Sequence, residues 1–250
     1  MKAAISQPTY LPWVGYFDLI DQVDAFVFLD SVQFEKRSWQ QRNRIKTSSG
    51  LQWLTVPIAV RGKQEQRIDE AEIQGPTVLE NHLRTIELHY RKAQHFETYY
   101  PGLADVFQDS QASSLLVDLN LRLIRWITQA LGLQTTLYRS SEMLVSGKRT
   151  ELLASIAHSI GATEYISALG SADYLLNELN VMTDRGIGVT FQHYEHPEYT
   201  QLFPPFLPYA TVLDLLFNEG PHSLEVLRSG RRAPSSPEEV KQLLAKQVEV

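Results

Sequence analysis

The segment Ile5 to Tyr16, ISQPTYLPWVGY, sets three hydrogen-bonding side chains, Gln7, Thr9 and Tyr10, just ahead of two flat rings, Trp13 and Tyr16. An amide, hydroxyls and aromatic faces in one short loop suit the orientation and stacking of a polar ring such as a base or a sugar. A second group, Asp30 to Lys46 (DSVQFEKRSWQQRNRIK), brings Lys36, Arg37, Arg42, Arg44 and Lys46, five cations in eleven residues. Guanidinium forks grip phosphate or carboxylate through paired hydrogen bonds. Asp30, Gln33, Gln40, Gln41 and Asn43 add polar contacts, and Trp39 offers a further stacking face. A solvated basic face is the competing explanation of such a run; its place directly after a strand favours an anion site beside the first loop.

The third group is QHYEHPEYTQ, Gln192 to Gln201, with His193 and His196 three apart and Glu195 and Glu198 nearby. Either imidazole can act as general acid or base near neutral pH, and Pro197 holds His196 extended. His193, His196 and Lys36 are therefore the candidate catalytic groups, Lys36 through a phosphate. A His/Glu metal site is conceivable, but loop spacing does not fix these ligands on one face, so no metal is assigned. Ser146 to Thr150 (SGKRT) could form an anion nest or a plain helix cap, and Ser167 to Ser171 follows a strand without a G-x-S-x-G elbow. His82, His89, His95, His158 and His222 sit in helical contexts and read as structural or solvated.

These side chains need a scaffold to bring them together. Lys2 to Gln7 is an apolar run stopped by Pro8, Val14 to Gln22 has apolar positions at helical spacing, and Ala25 to Leu29 is a second buried strand. Strand, helix and strand in succession predict a right-handed βαβ unit. Residues 34 to 47 are too polar for a buried element; Gln52 to Ile58 reads as a strand, RGKQEQ as an exposed turn and IDEAEI as a short alternating strand. Helical periodicity dominates from Pro76 to about Leu131, with Leu79, Leu83, Ile86 and Tyr90 on one face and Leu115, Leu119, Leu123, Ile127 and Leu131 on another. Strands are predicted at Thr135 to Tyr138, Glu164 to Ser167 and Gly186 to Tyr194, with a helix over Thr150 to Ile160. The four prolines between His196 and Pro208 demand extended loop, and ATVLDLLFNEG is a closing helix with Gly220 past its end. The expected fold is α/β, a mostly parallel sheet with helices on both faces, Rossmann-like, with a nucleotidyltransferase-like form in view. Residues 1–229 are expected to make one such domain with a helical insertion at about 76–132, and 230–250 a linker and peripheral helix.

Length and composition narrow the classes. A chain of 250 residues with 43% hydrophobic and 21% charged residues can bury a full core without disulfides or metal, and it has no cysteine. Thiolate catalysis, iron–sulfur clusters and Cys-based zinc are excluded. Net charge −6 opposes general attachment to polyanions, so nucleic acid is not an expected partner. No stretch approaches the about 20 apolar residues of a membrane span, and no signal peptide is evident, which places the protein in the cytoplasm.

Pro12 to Tyr16 occupies the strand–loop–helix position of the P-x-H-x-G-H signature of nucleotidyltransferases, with Trp13 and Tyr16 where the two histidines would be. The spacing matches and the chemistry does not, which argues against nucleotidyl transfer by the usual route. More extended matches are QPTYLPWVGYFDLID, FVFLDSVQFEKRSWQQRNRIKT, WLTVPI, EYISALGSADYL and GIGVTFQHYEHPEYTQLFPPFLPYATVLDLLFNEG. Through these blocks the chain resembles the WbqC-like protein family from residue 2 to about 220. The resemblance implies a setting in the synthesis of O-antigen and related surface glycans rather than a reaction. Carried over by position, it points to Gln7, Pro8, Tyr10, Pro12, Trp13, Gly15 and Tyr16, to Asp30, Gln33, Lys36, Arg37, Arg42, Asn43, Arg44 and Lys46, and to Gln192, Gln201, Asp214 and Asn218. Ala168 to Ser171 departs from the glycine-richer Ser-Gly-x-Gly-Gly turn expected there, which could narrow a pocket. The expected function is a transferase that takes a small-molecule or carrier-linked phosphate-bearing donor (acyl, aminoacyl or nucleotide sugar) to a sugar or amino-sugar acceptor, without a resident cofactor. The alternatives are a non-catalytic binding or assembly protein with a degenerate nucleotidyltransferase-like pocket, and a metal hydrolase around His193 and His196.

Overall fold

Short runs with no polar face, AFVF at 25–28 above all, form strands when both sides are covered. In the computed structural model Lys2–Ser6 (β1) and Ala25–Phe28 (β2) pair in parallel, Ala3 opposite Ala25 through Ser6 opposite Phe28, with Val14–Asp21 (α1) as the crossover. Arg42–Thr47 (β3) and Gly50–Thr55 (β4) make a separate antiparallel ribbon. Val78–Tyr90 (α2), Phe96–Ser110 (α3) and Leu116–Ala130 (α4) follow, then Thr136–Arg139 (β5), Thr150–Ser159 (α5) and Glu164–Ser167 (β6). Two short helices, Ala172–Leu175 (α6) and Leu179–Thr183 (α7), lead to Gly188–Phe191 (β7); Val212–Glu219 (α8), Ser223–Ser229 (α9) and Pro237–Val248 (α10) complete the chain. The structure describes residues 1–63, 65–75 and 77–248, the side chains of 247 and 248 excepted. Gln64 of the predicted turn, Pro76 at the head of the predicted helical region and residues 249–250 lie outside the described residues.

The main sheet runs β5-β2-β1-β6-β7 and every pair is parallel. It is flanked by helices on both faces, a Rossmann-like α/β fold as expected. Because strand side chains alternate, Ala4, Phe26, Phe28 and Ile166 enter one core with residues of α1 to α4 and α8, while Ala3, Ile5, Val27, Tyr165 and Val189 enter another with α5, α7 and Val240 of α10. The chain leaves β1 toward β2 on one side and leaves β6 toward β7 on the other. The carboxyl ends of β1 and β6 therefore flank the crevice where open α/β sheets bind ligands.

Three local expectations need correction. Residues 42–47 are a strand despite their polarity: all six pair with β4, and Asn43, Ile45, Lys46 and Thr47 are buried. Their polar groups find partners, as when Asn43 Nδ2 donates to the Leu11 carbonyl at 2.8 Å. IDEAEI is not an alternating strand. Glu70 accepts from the Arg67 amide at 2.9 Å and Arg67 Nε donates to Asp69 at 2.9 Å, so local side-chain bonds fold Ile68–Glu70 into a 3-10 turn. The closing helix is followed by a further one, α9, beyond the Gly220 turn.

Candidate functional site

The loop after β1 is built by cross-ties rather than by its own sequence. The Tyr10 amide donates to Trp39 O at 2.9 Å, Val212 N to Pro12 O at 2.9 Å and Thr211 N to Arg44 O at 2.8 Å. Asn120, buried in α4, donates Nδ2 to Pro8 O at 3.2 Å and to Gln40 O at 2.8 Å. Gln40 Nε2 in turn donates to Gln7 Oε1 at 2.8 Å. Three segments distant in sequence, 7–13, 35–44 and 209–212, are thus locked at one edge of the sheet. Leu11, Arg37 and Tyr209 lie in these segments with φ of 44, 60 and 64°. Left-handed backbone in bulky residues persists only where surrounding contacts over-determine it, and it concentrates at ligand clamps.

Between the segments lie two cavities that share Thr9 and Trp39. The first, about 390 Å³, is lined by Thr9, Trp13, Tyr16, Trp39, Asn43, Arg44 and Tyr209. The second, about 500 Å³, opens over the ends of β1 and β6 and is lined by polar Gln7, Glu35, Ser38, Gln40, Ser171 and Tyr174 among others. A larger open groove of about 1000 Å³ runs past Glu65, Asp69, Glu70 and Glu72. Its four carboxylates, only partly offset by Lys63 paired with Glu72, disfavour phosphate.

The aromatic cavity has an unusual wall. Trp13 lies against Tyr209 with ring centroids 5.4 Å apart and against His196 at 6.0 Å. Its indole covers Gly15, where an added Cβ would fall 2.3 Å from a ring carbon, so only glycine admits this packing. Tyr16 donates its hydroxyl to Gln7 O at 3.1 Å, and burial pushes its phenol well above the ordinary range, leaving a neutral donor. Arg44 donates a long 3.5 Å bond to Tyr209 O, and its buried Nε has no hydrogen-bond partner among the described residues. Among the described residues neither Arg42 nor Arg44 forms an ion pair, whereas the other half-buried arginines, Arg139 and Arg231, both do.

Gln7, Thr9, Trp13, Tyr16, Trp39, Asn43 and Arg44 of the sequence-predicted set therefore line the two cavities. The structure places the others elsewhere. Tyr10 is fully buried, its hydroxyl 2.8 Å from His82 Nδ1. Asp30 is buried at the end of β2, ion-paired with Arg139 at 2.9 Å and accepting from Ser140, Ser141 Oγ and the Ser141 amide. Gln192 donates to Gly15 O and Asp18 behind α1, both at 2.8 Å. Gln201 clamps the proline-rich loop, exchanging bonds with Leu207 and donating to Asp214 at 2.8 Å. Lys36 and Arg37 are exposed on the turn between Glu35 and Ser38, Gln33 bridges to Arg67, and Arg42 lies over Trp53. Lys46 is buried near Asp214, whose carboxyl burial pushes up while Tyr199 Oη and Gln201 donate to it.

His193 is exposed, 3.8 Å from Glu195, and outside both cavities. His196 packs behind Trp13 and Tyr209. Its Nδ1 is 2.9 Å from the Pro197 carbonyl, which can only accept, so the proton sits on Nδ1 and Nε2 keeps its lone pair; Nε2 is buried with no partner among the described residues. Burial lowers its pKa and holds it neutral. Among the described residues no cluster of three or more His, Asp or Glu is arranged as a metal-ion site, and no helix is long and apolar enough to cross a membrane. Tyr209, Glu35, Tyr174 and Asn120 were not anticipated. The readable signal for Asn120 was a lone amide between Leu116 and Leu123 on an otherwise apolar helix face, and for Tyr209 a ring directly after the proline run.

The sequence profile of the WbqC-like protein family matches residues 7–226. The chain is also similar to the uncharacterized protein Rv1507c of Mycobacterium tuberculosis, 40% identical over 232 residues that cover 92% of this chain and 99% of that one. No solved structure matches it. With the strand-end cleft built from the same blocks that the profile spans, the chain belongs to the WbqC-like protein family.

Proposed function

We propose that the protein is a transferase of surface-glycan synthesis that holds an activated, phosphate-bearing donor in the aromatic cavity and a sugar or amino-sugar acceptor in the polar one. The observation that carries this reading is the pair of unlike cavities meeting at Thr9 and Trp39 over the ends of β1 and β6. The aromatic compartment has a guanidinium with no carboxylate partner among the described residues and suits a flat anionic group; the other offers amides, hydroxyls and the Glu35 carboxylate, which suit sugar hydroxyls or an amine. Transfer needs both ligands in adjoining space, which a shared wall provides. Neither histidine lines a cavity: His193 points to solvent and Glu195, and His196 backs Trp13 and Tyr209, so His196 is proposed as a positioning residue of the aromatic wall rather than as the base.

A thermal-shift series of the purified chain with nucleotide sugars, coenzyme A thioesters and phosphopantetheine tests the donor half. A ligand at a hundred times its Kd adds about 2.7 kcal/mol, roughly 5 to 10 °C for a chain of this size, and Arg44→Ala should abolish the shift. If no phosphate compound shifts the protein, or Arg44→Ala leaves the shift intact, the reading is abandoned. His196→Gln, which removes the ring packed behind Trp13 and Tyr209, should weaken donor binding, while His193→Gln leaves it unchanged.

A second reading, a binding protein without turnover, is supported by neutral Trp13 and Tyr16 at the H-x-G-H positions, since neither supplies positive charge to a phosphoryl transition state. Product formed in molar excess over protein would exclude it.

A further inference from the structure

At the mouth of the aromatic cavity Arg42, Arg44 and Trp53 of the β3–β4 ribbon stack with Trp39 of the preceding turn. The Trp39 and Trp53 rings are 5.5 Å apart, the Arg42 guanidinium lies 4.5 Å over Trp53, and that of Arg44 lies 5.4 Å from Trp53 and 5.7 Å from Trp39. The register explains the assembly: Arg44 stands directly opposite Trp53, and Arg42 falls on the same face by the two-residue period of a strand. Both indoles remain wet, 48% exposed for Trp39 and 43% for Trp53. Neither arginine meets a carboxylate among the described residues, in a chain with 29 acidic and 23 basic side chains. Trp39 and Arg44 also line the cavity, so the stack continues its wall outward.

Exposed indole is apolar surface left in water, and a guanidinium with no carboxylate beside it keeps its charge and most of its N–H donors available to an anion. Together at a cavity mouth they complement a ligand that is flat at one end and doubly negative beside it. We infer, on the donor reading above, that Trp53 and Trp39 stack the base of a nucleoside diphosphate while Arg42 and Arg44 neutralise its pyrophosphate, the remainder of the donor reaching into the aromatic cavity. A nucleotide sugar and a coenzyme A thioester share this group, whereas a phosphopantetheine carrier lacks the base.

Isothermal titration of the full chain with UDP, ADP, coenzyme A, phosphopantetheine and inorganic pyrophosphate tests the assignment. The nucleotides should bind at least about tenfold tighter than the two base-free phosphates, the margin that stacking one base supplies. Trp53→Ala should erase that margin without lowering the affinity for pyrophosphate, and Trp53→Phe should keep most of it. The preference between UDP and coenzyme A separates a nucleotide sugar from a thioester. Base-free phosphates bound as tightly as nucleotides, or a margin untouched in Trp53→Ala, overturn the platform while leaving the donor reading standing; no binding of any of the five overturns both.

Discussion

Arg44 and Lys46 are two residues apart on the same strand, both cationic, and their fates diverge. Arg44 reaches the cavity with Nε unpartnered, while Lys46 is buried beside Asp214. Composition marks the pair as an anion patch; only the neighbours of each position show that one cation is available and the other committed. The same holds for amides. Gln192 and Gln201 carry the hydrogen-bonding capacity expected of substrate contacts, yet both spend it on fixing the chain, whereas Asn120 went unnoticed in an apolar helix and joins Pro8 to Gln40. Asn120→Leu should leave two buried carbonyls without their donor and cost about 1 to 3 kcal/mol in urea unfolding. It should weaken ligand binding as well, because the 7–13 and 35–44 segments lose their common tie. An unchanged midpoint with unchanged binding would remove Asn120 from the site's framework.

At the scale of elements, α1 holds the site in place from behind. Asp18 is fully buried and accepts from Gln22, Gln192 and Arg231, while Arg231 and Arg228 both pair with Asp21. Burial raises the Asp18 pKa, with those three donors working against it. Removing one partner of a buried pair strands the other charge, so Arg231→Ala should destabilise by about 3 kcal/mol, read as a fall in Tm. Restoration of Tm in the double variant Asp18→Asn, Arg231→Ala would show that the cost is the stranded carboxylate. On the front of the same helix, Gly15→Ala should displace the Trp13 indole, change the tryptophan emission and weaken ligand binding while helix content is retained. The parallel strands and α1 were readable because uniform apolar runs and helical spacing leave few alternatives. The β3 strand was not, because the Asn43 side chain is satisfied by the Leu11 carbonyl and the Lys46 amide by the Tyr90 hydroxyl, neither of which is local.

At the scale of the whole molecule a buried histidine joins Asn120 in tying the site loop to the helical region. His82 of α2 lies 2.8 Å from the Tyr10 hydroxyl, and burial lowers its pKa to about 4 from an ordinary 6.5. The unfolded chain therefore binds a proton at His82 between those values and the folded chain does not. The neutral histidine's contribution is complete above pH 6.5 and lost as pH falls toward 4. The stability difference between the parent and His82→Gln should shrink by up to about 3 kcal/mol across that window, measured by urea unfolding at several pH values. A difference independent of pH would show that His82 titrates normally. His196, also lowered by burial, acts in the same direction in both proteins and cancels in the comparison.

The sequence by itself determined the parallel α/β sheet, the strand-end position of the first loop and the family, since each rests on apolar runs, spacings and motif blocks that local physics can read. Which polar residues face ligand and which brace the fold was decided by tertiary structure alone. A glutamine or arginine is chemically able to do either, and its role is fixed by whether a partner from a distant segment, such as Asp18 for Gln192 or the Leu207 backbone for Gln201, takes up its hydrogen bonds when the chain closes.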